Sequence, residues 1–255
     1  MTLRYLQKWH GAGNDFLVEV IEHGTAPWWD AAHARAVCDR STGVGADGLL
    51  LATVGSDVTM VLYNADGSRA EMSGNGIRCL AAAVRRSTRG TWDALDVVTD
   101  AGVRRVTLTG DRDEGAGSVA MGAVTTGPGP AGTLGVASVG NPHVVVVDDP
   151  AWTIEDRTRL ASAWSDDLGG ANVEFITPVD SQRIELRVFE RGVGWTQACG
   201  TGSCAVAAVA RSHGLCGDAV TIGNPGGDLT VRLDGDQATL GGPVQFVANV
   251  EWRAT

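Results

Sequence analysis

Thr196-Gln197-Ala198-Cys199-Gly200-Thr201-Gly202-Ser203-Cys204, running on into Ala205-Val206-Ala207-Ala208-Val209-Ala210, decides how the rest of the chain is read. A glycine-bracketed turn leads straight into an alanine-rich helix. The free N–H groups of such a helix start form a seat for a carboxylate. Cys199 stands at the mouth of the turn, where the helix dipole and unpaired N–H groups are expected to favour thiolate.

The device occurs twice. Glu71-Met72-Ser73-Gly74-Asn75-Gly76 runs into Ile77-Arg78-Cys79-Leu80-Ala81-Ala82-Ala83-Val84, and Ser73 precedes Cys199 by 126 residues. Asn64 lies nine residues before Ser73, and Glu190 lies nine before Cys199. Gly13-Asn14-Asp15-Phe16 opens the first half; Gly140-Asn141-Pro142-His143 opens the second, at an offset of 127. Landmarks that keep one offset indicate an internal duplication, each half carrying its key segment at a helix N-terminus.

Bulk properties exclude several classes. With 255 residues the chain is long enough for two small lobes with real cores. A net charge of −10 argues against binding nucleic acid or an anionic membrane by bulk electrostatics. No window approaches the roughly 18 apolar residues of a membrane span. Met1 to His10 lacks a signal-peptide core, so a cytoplasmic protein is expected. Five cysteines (Cys38, Cys79, Cys199, Cys204, Cys216) without a CxxC pair point neither to a disulfide framework nor to zinc, and no metal is expected. Cys38, Cys79 and Cys204 read as core thiols. Lys8 is the only lysine and has no phosphate loop nearby, which disfavours pyridoxal phosphate; no cofactor is expected.

Strands are expected at Leu3 to Trp9, Phe16 to Ile21, Leu49 to Thr53, Val58 to Tyr63, Leu95 to Thr99 and Arg104 to Leu108. In the second half they are expected at Val136 to Val147, Val173 to Thr177, Ile184 to Phe189 and Val244 to Trp252. Helices are expected from Pro27 to Cys38, Asn75 to Arg86, Thr153 to Trp164 and Gly202 to His213. Gly110 to Gly117 reads as a polar seam between halves, and Thr125 to Gly132 as a loop. The strands lie too close together for βαβ crossovers. The fold expected is α+β: two pseudo-symmetric lobes, each a mixed, mainly antiparallel sheet wrapped around one central helix. The lobes are placed at residues 1–118, completed by a last strand at 246–255, and at residues 119–245.

The chain resembles the diaminopimelate epimerases of the cofactor-independent, two-cysteine racemase superfamily. The resemblance is carried by His10-Gly11-Ala12-Gly13-Asn14-Asp15-Phe16, Gly43-Val44-Gly45-Ala46-Asp47-Gly48, Asn64-Ala65-Asp66-Gly67-Ser68, Gly74-Asn75-Gly76-Ile77-Arg78-Cys79, Gly140-Asn141-Pro142-His143, Asn172-Val173-Glu174-Phe175, and Glu190-Arg191-Gly192-Val193-Gly194 leading to Ala198-Cys199-Gly200-Thr201-Gly202. It implies an active site in the cleft between lobes and epimerisation of LL- to meso-diaminopimelate by two-base proton transfer. Such chemistry needs a base on one face of the α-carbon and an acid on the other, and cysteine suits it because its pKa of about 8.5 can be tuned. By resemblance, Asn64, Asn141, Asn172 and Arg191 hold the distal end of the substrate. Asn14, Glu190 and the backbone of Gly74, Asn75, Gly200 and Thr201 hold the amino-acid end, with Gly48 also lining the site. His143 and Glu190 lie near the catalytic thiol Cys199. The partner expected is a small amino acid, and a homodimer is compatible with this reading.

Two departures stand out. The family's second catalytic residue is cysteine, and here it is Ser73, whose hydroxyl is a poor base unless activated. Three readings follow: an engineered change in a true epimerase; a divergent enzyme with one thiol, acting as a racemase, epimerase or dehydratase on another amino acid; or a non-catalytic amino-acid binder. Trp195 stands where the family usually has glutamate, and an indole there is expected to reshape the pocket or a lobe contact. Ser165 to Gly170 also departs from the family's His-x-x-Phe-Pro stretch. A thiol hydrolase or thiol sensor centred on Cys199 needs an oriented histidine, and His143 is its only support. Trp28 and Trp29 read as packing for the first helix.

Overall fold

The computed structural model describes residues 2–25 and 28–254. The chain divides into two compact units, one of residues 1–119 with 242–255 and one of residues 120–241.

The first unit contains β1 (Thr2–Gly11), β2 (Asn14–Glu22), α1 (Ala31–Cys38), β3 (Gly48–Val54), β4 (Val58–Asn64), β5 (Arg69–Ala70), α2 (Gly74–Thr88), β6 (Ala94–Thr99) and β7 (Gly102–Gly110), and β8 (Glu114–Ala123) begins in it and ends in the second. The second contains β9 (Thr125–Gly127), β10 (Gly135–Ser138), β11 (Pro142–Val147), α3 (Ile154–Asp167), β12 (Asn172–Asp180), β13 (Arg183–Glu190), β14 (Gly194–Thr196), α4 (Gly200–Ser212), β15 (Ala219–Asn224) and β16 (Gly227–Asp234). The final strand, β17 (Gln237–Ala254), begins in the second unit and finishes in the first.

In the first unit the pairing runs β1–β2–β3–β4–β6–β7–β8–β17 and returns to β1, closing a barrel. The barrel encloses α2, which is buried continuously from Gly74 to Arg85. Ala81, Ala82 and Ala83 keep this helix thin enough to fit, and the small residues of α4 (Ala205, Ala207, Ala208 and Ala210) do the same in the second unit. α4 reads as apolar almost all round, whereas α2 also carries Asn75, Arg78 and Arg85 into the barrel. α1 packs on the other face of β3, in a cluster of Leu17, Trp29, Ala34, Val37, Leu49 and Leu51. β3 is therefore apolar along most of its length rather than alternating.

The second unit repeats this order. β2 pairs parallel with β3, as β11 does with β12; β4 pairs parallel with β6, as β13 does with β15. Each parallel pair is joined through a helix, so the expectation of no βαβ crossovers is wrong. A helix of 8 residues spans α1's crossover. The dense strand spacing that argued against crossovers comes from the antiparallel hairpins lying between them.

Other boundaries also move. The helix expected from Pro27 starts at Ala31, capped by the Asp30 side chain, while Pro27 itself lies outside the described residues. Val136 to Val147 is two strands rather than one: Val139–Asn141 turns, with Gly140 at φ 92°, and the halves pair antiparallel. Gly110 to Gly117 is no seam, because β7 and β8 pair through it as far as Gly110 against Gly115. Thr125 to Gly127 forms a short strand on β10 instead of loop. Trp28 and Trp29 do pack beside α1, edge to face with each other, with Trp252 edge to face with Trp28 and stacked on Trp29.

α3 opens with a full capping box, Thr153 accepting from the Asp156 N–H at 3.1 Å and Asp156 accepting from the Thr153 N–H at 3.1 Å. Thr153→Ala is expected to lower stability by about 1 kcal/mol in urea titration; an unchanged midpoint would show that α3 does not depend on its cap.

Candidate active site

The two enclosed helices begin in the same way. Ser73 is the N-cap of α2, at φ −132° and ψ 126°, and its Oγ accepts the Gly76 N–H at 3.1 Å. Cys199 is the N-cap of α4, at φ −128° and ψ 118°, and its Sγ accepts the Gly202 N–H at 3.3 Å. Serine is among the best capping residues, so Ser73 preserves the local structure whatever it does to the chemistry.

Strand register places the other candidates around each cap. In the first unit Phe16, Gly48 and Asn64 stand side by side, Phe16 opposite Gly48 and Gly48 opposite Asn64. Glycine is required at 48: a Cβ there would lie 2.8 Å from the Tyr63 carbonyl. Asn64 is exposed and its amide donates to Ser68 Oγ at 3.0 Å. Asn14, at the head of β2, donates to Asp47 Oδ2 at 2.7 Å and accepts from Asn75 at 3.3 Å. Thus Asn14, Ser73, Gly74 and Asn75 gather at the start of α2, and Gly48 and Asn64 lie on the adjoining strand ends.

In the second unit His143 stands opposite Asn172, and Asn172 lies one step past the Val173–Phe189 pair, level with Glu190. The trio His143, Asn172 and Glu190 is thus the counterpart of Phe16, Gly48 and Asn64. Asn172 Oδ1 accepts the Arg191 N–H at 3.0 Å, and Thr196 Oγ1 donates to Glu190 at 2.5 Å. His143 is fully buried, with Nδ1 2.7 Å from Glu174 Oε1 and Nε2 3.0 Å from Asn141 Oδ1. Arg191 is exposed, its guanidinium donating to the Gly170 carbonyl at 3.4 Å. Asn141, His143, Asn172, Glu190, Cys199, Gly200 and Thr201 therefore share one end of this unit, with Arg191 at its surface.

Glu174 was missed by sequence reasoning as a site residue. It is fully buried, and a Cβ added at Gly202 would lie 2.8 Å from its Oε1, beneath the first turn of α4. The signal was available: Glu174 points inward from an otherwise apolar strand, between Val173 and Phe175.

Two further expectations are corrected. Cys199 is not favoured as thiolate. Burial, then the carboxylates of Glu190 and Glu174, push its thiol well above the ordinary value, outweighing the Thr201 hydroxyl and Gly202 N–H that pull it down. Trp195 does not reshape the capped end of α4. It sits opposite Phe189 and packs on Phe175 at 5.6 Å, in the cluster beneath α3, with its indole N–H on Thr158 Oγ1 at 3.0 Å. Phe175 and Glu174 point to opposite faces of β12, so the indole lies on the sheet face away from Glu174.

Two similar halves, each a sheet around a helix that begins with a capping hydroxyl or thiol, define the epimerase and racemase fold. Solved structures share it: a hydroxyproline epimerase from Agrobacterium vitis with bound trans-4-hydroxy-L-proline (TM-score 0.72, 16% identity, 99% of this chain and 91% of that one) and a phenazine biosynthesis protein of the PhzF family from Bacillus anthracis (TM-score 0.77, 15% identity, the full length of both). At such identities they speak for the fold alone. The model of the diaminopimelate epimerase family matches residues 6–127 and 135–247, and the chain belongs to that family. Relatives named diaminopimelate epimerase include one from Xanthomonas axonopodis pv. citri (37% identical, covering 96% of this chain and 95% of the relative) and one from Desulforudis audaxviator (36%, covering 96% and 98%). The chain is an amino-acid isomerase of the epimerase and racemase type.

Removing the Glu190 charge takes away an anion that disfavours thiolate, so Glu190→Gln is expected to lower the Cys199 pKa. At about pH 7.5 iodoacetamide should then label Cys199 faster than in the parent, since thiolate is the reacting form. Peptide mass spectrometry reads the rate; unchanged labelling would mean that burial and Glu174 set the titration without Glu190.

Proposed function

We propose that this chain converts LL-diaminopimelate to meso-diaminopimelate, a step toward lysine and peptidoglycan precursors, with Cys199 and Ser73 as the two proton-transfer groups and no cofactor. The observation that carries the reading is the pair of matched helix caps, joined to the names of the full-length relatives.

Inversion at an α-carbon removes a proton from one face and returns one to the other. The carbanion formed spreads charge onto the α-carboxylate, and backbone N–H groups at a helix start stabilise charge developing there. The backbone of Gly74, Asn75, Gly200 and Thr201 supplies such donors, and Asn14 and Glu190 complete the amino-acid end. Asn64, Asn141, Asn172 and Arg191 take the distal carboxylate and amine, and Gly48 lines the site opposite Asn64. His143 and Glu190 tune the catalytic groups.

Cys199, held protonated, is ready to donate. Ser73 would have to accept a proton from carbon, and a hydroxyl does so far less readily than a thiolate. Turnover is therefore impaired, or confined to exchange at one face.

Incubation of the chain and of Ser73→Cys with LL- and meso-diaminopimelate in D2O tests the reading. The variant is expected to exchange and invert at least about 100-fold faster than the parent, the lower range for a positioned acid or base. Absence of α-proton exchange by both proteins would overturn it.

A further inference from the structure

Arg78 is fully buried inside the first unit, one turn into α2. Its Nη1 donates to the Gly74 carbonyl at 2.9 Å and its Nη2 to Asn75 Oδ1 at 2.9 Å. Two strands give up side chains to house it: a Cβ at Gly11 would lie 3.3 Å from Nη2, and one at Gly117 would lie 3.2 Å from Cδ. From Asn75 the contacts continue. Asn75 Nδ2 donates to Asn14 Oδ1 at 3.3 Å, and Asn14 Nδ2 donates to Asp47 Oδ2 at 2.7 Å. Asp47 is held in turn by Arg40 at 2.8 Å.

The polarity of this relay is fixed at both ends. A guanidinium only donates and an ionised carboxylate only accepts, whereas a carboxamide can turn either way. With Arg78 at one end, Asn75 must offer its oxygen inward and its NH2 to Asn14. With Asp47 at the other end, Asn14 must offer its NH2 outward and its oxygen to Asn75. The amide orientations follow from the ends rather than from a choice between nearly identical atoms. Each carboxamide NH2 carries two hydrogens, of which the relay uses one.

We propose that Arg78 is a positioning residue that sets the donor direction of Asn75 and Asn14, so that their remaining N–H groups face the α-carboxylate of the substrate. This rests on the reading that these residues hold the amino-acid end. Arg78 touches no reacting atom; it acts through the two carboxamides. Without it, the direction of Asn75 rests on its 3.3 Å bond to Asn14 alone, so its carboxamide is less firmly held with a donor toward the ligand.

The test uses three variants of the full chain and two readouts. Calorimetry gives the Kd for LL-diaminopimelate, and 15N spectra give the solvent exchange of the Asn14 and Asn75 side-chain NH2 groups, assigned by loss of each signal on Asn→Asp substitution. Arg78→Lys keeps a donor-only group and is expected to hold Kd within about threefold of the parent, while Arg78→Met raises it about tenfold or more. Asn14 stands one link further along the relay, so faster exchange of its NH2 in Arg78→Met reports lost polarity. If Arg78→Met fails to fold, Asn75→Asp decides. It keeps a partner for the guanidinium but removes the donor, and should weaken binding and shift the Asn14 signal. Unchanged Kd and Asn14 exchange in the folded Met variant, or in Asn75→Asp, would overturn the inference. If the unmodified chain binds no diaminopimelate, the substrate reading falls, and the amide exchange alone then decides on the relay.

Discussion

The bond from a backbone N–H in the first helical turn to the side chain just ahead of it is what the rest of this structure is built to accommodate. In α2 that bond runs from Gly76 to Ser73, and in α4 from Gly202 to Cys199. Both helices are enclosed by sheet, where an unsatisfied N–H has no water to turn to. The cap is therefore obligatory, and the same side chain that satisfies it is the one presented at the helix start. Enclosure also demands a thin helix, hence the alanines, and a close approach at the cap, hence the glycines: a Cβ at Gly76 would meet Ser73 Cβ at 3.1 Å and Phe16 at 3.3 Å. Serine at position 73 meets the structural requirement of the cap.

The two units share their strand order but divide the chemistry unequally. The level that carries Phe16, Gly48 and Asn64 in the first carries His143, Asn172 and Glu190 in the second. The first unit uses an apolar ring to seat the start of α2 and leaves its polar groups to the Arg78 relay. The second places a histidine there, with Glu174 buried behind it. A buried carboxylate needs compensation, and the His143 ring together with the positive end of α4 provides it.

Much of this was legible in the chain. The repeated turn-and-helix segment located both caps and the constant offset gave the two-unit plan, because caps and enclosed helices impose short-range requirements on sequence. What was missed is set at longer range. Parallel pairing of β2 with β3 depends on where α1 packs, and nothing local distinguishes that from a hairpin. Glycines at 110, 115 and 117 read as a seam, yet they are strand positions that make room: a Cβ at Gly115 would lie 2.0 Å from the Thr109 carbonyl, and Gly117 faces Arg78. Trp195 was read by its distance along the chain from Cys199, but strand alternation turns it to the opposite face of the sheet.

The charge state of Cys199 shows why a helix N-terminus alone does not make a thiolate. A helix end contributes about 0.3–1 kcal/mol at exposed sites and up to about 2 kcal/mol when partly buried. Removing an ion from water costs several kcal/mol unless it is paired. Cys199 is buried and lies near the carboxylates of Glu190 and Glu174, so burial and like-charge repulsion together outweigh the helix end. The neutral thiol is favoured, and the cap hydrogen bond only moderates that preference. A resting site of this kind stores its proton on sulfur. The residue that matches Cys199 in cap geometry is Ser73. Under the proposed two-base reaction, the electrostatics of one helix cap and the side-chain identity at the other would both bear on the same step, proton removal at the α-carbon.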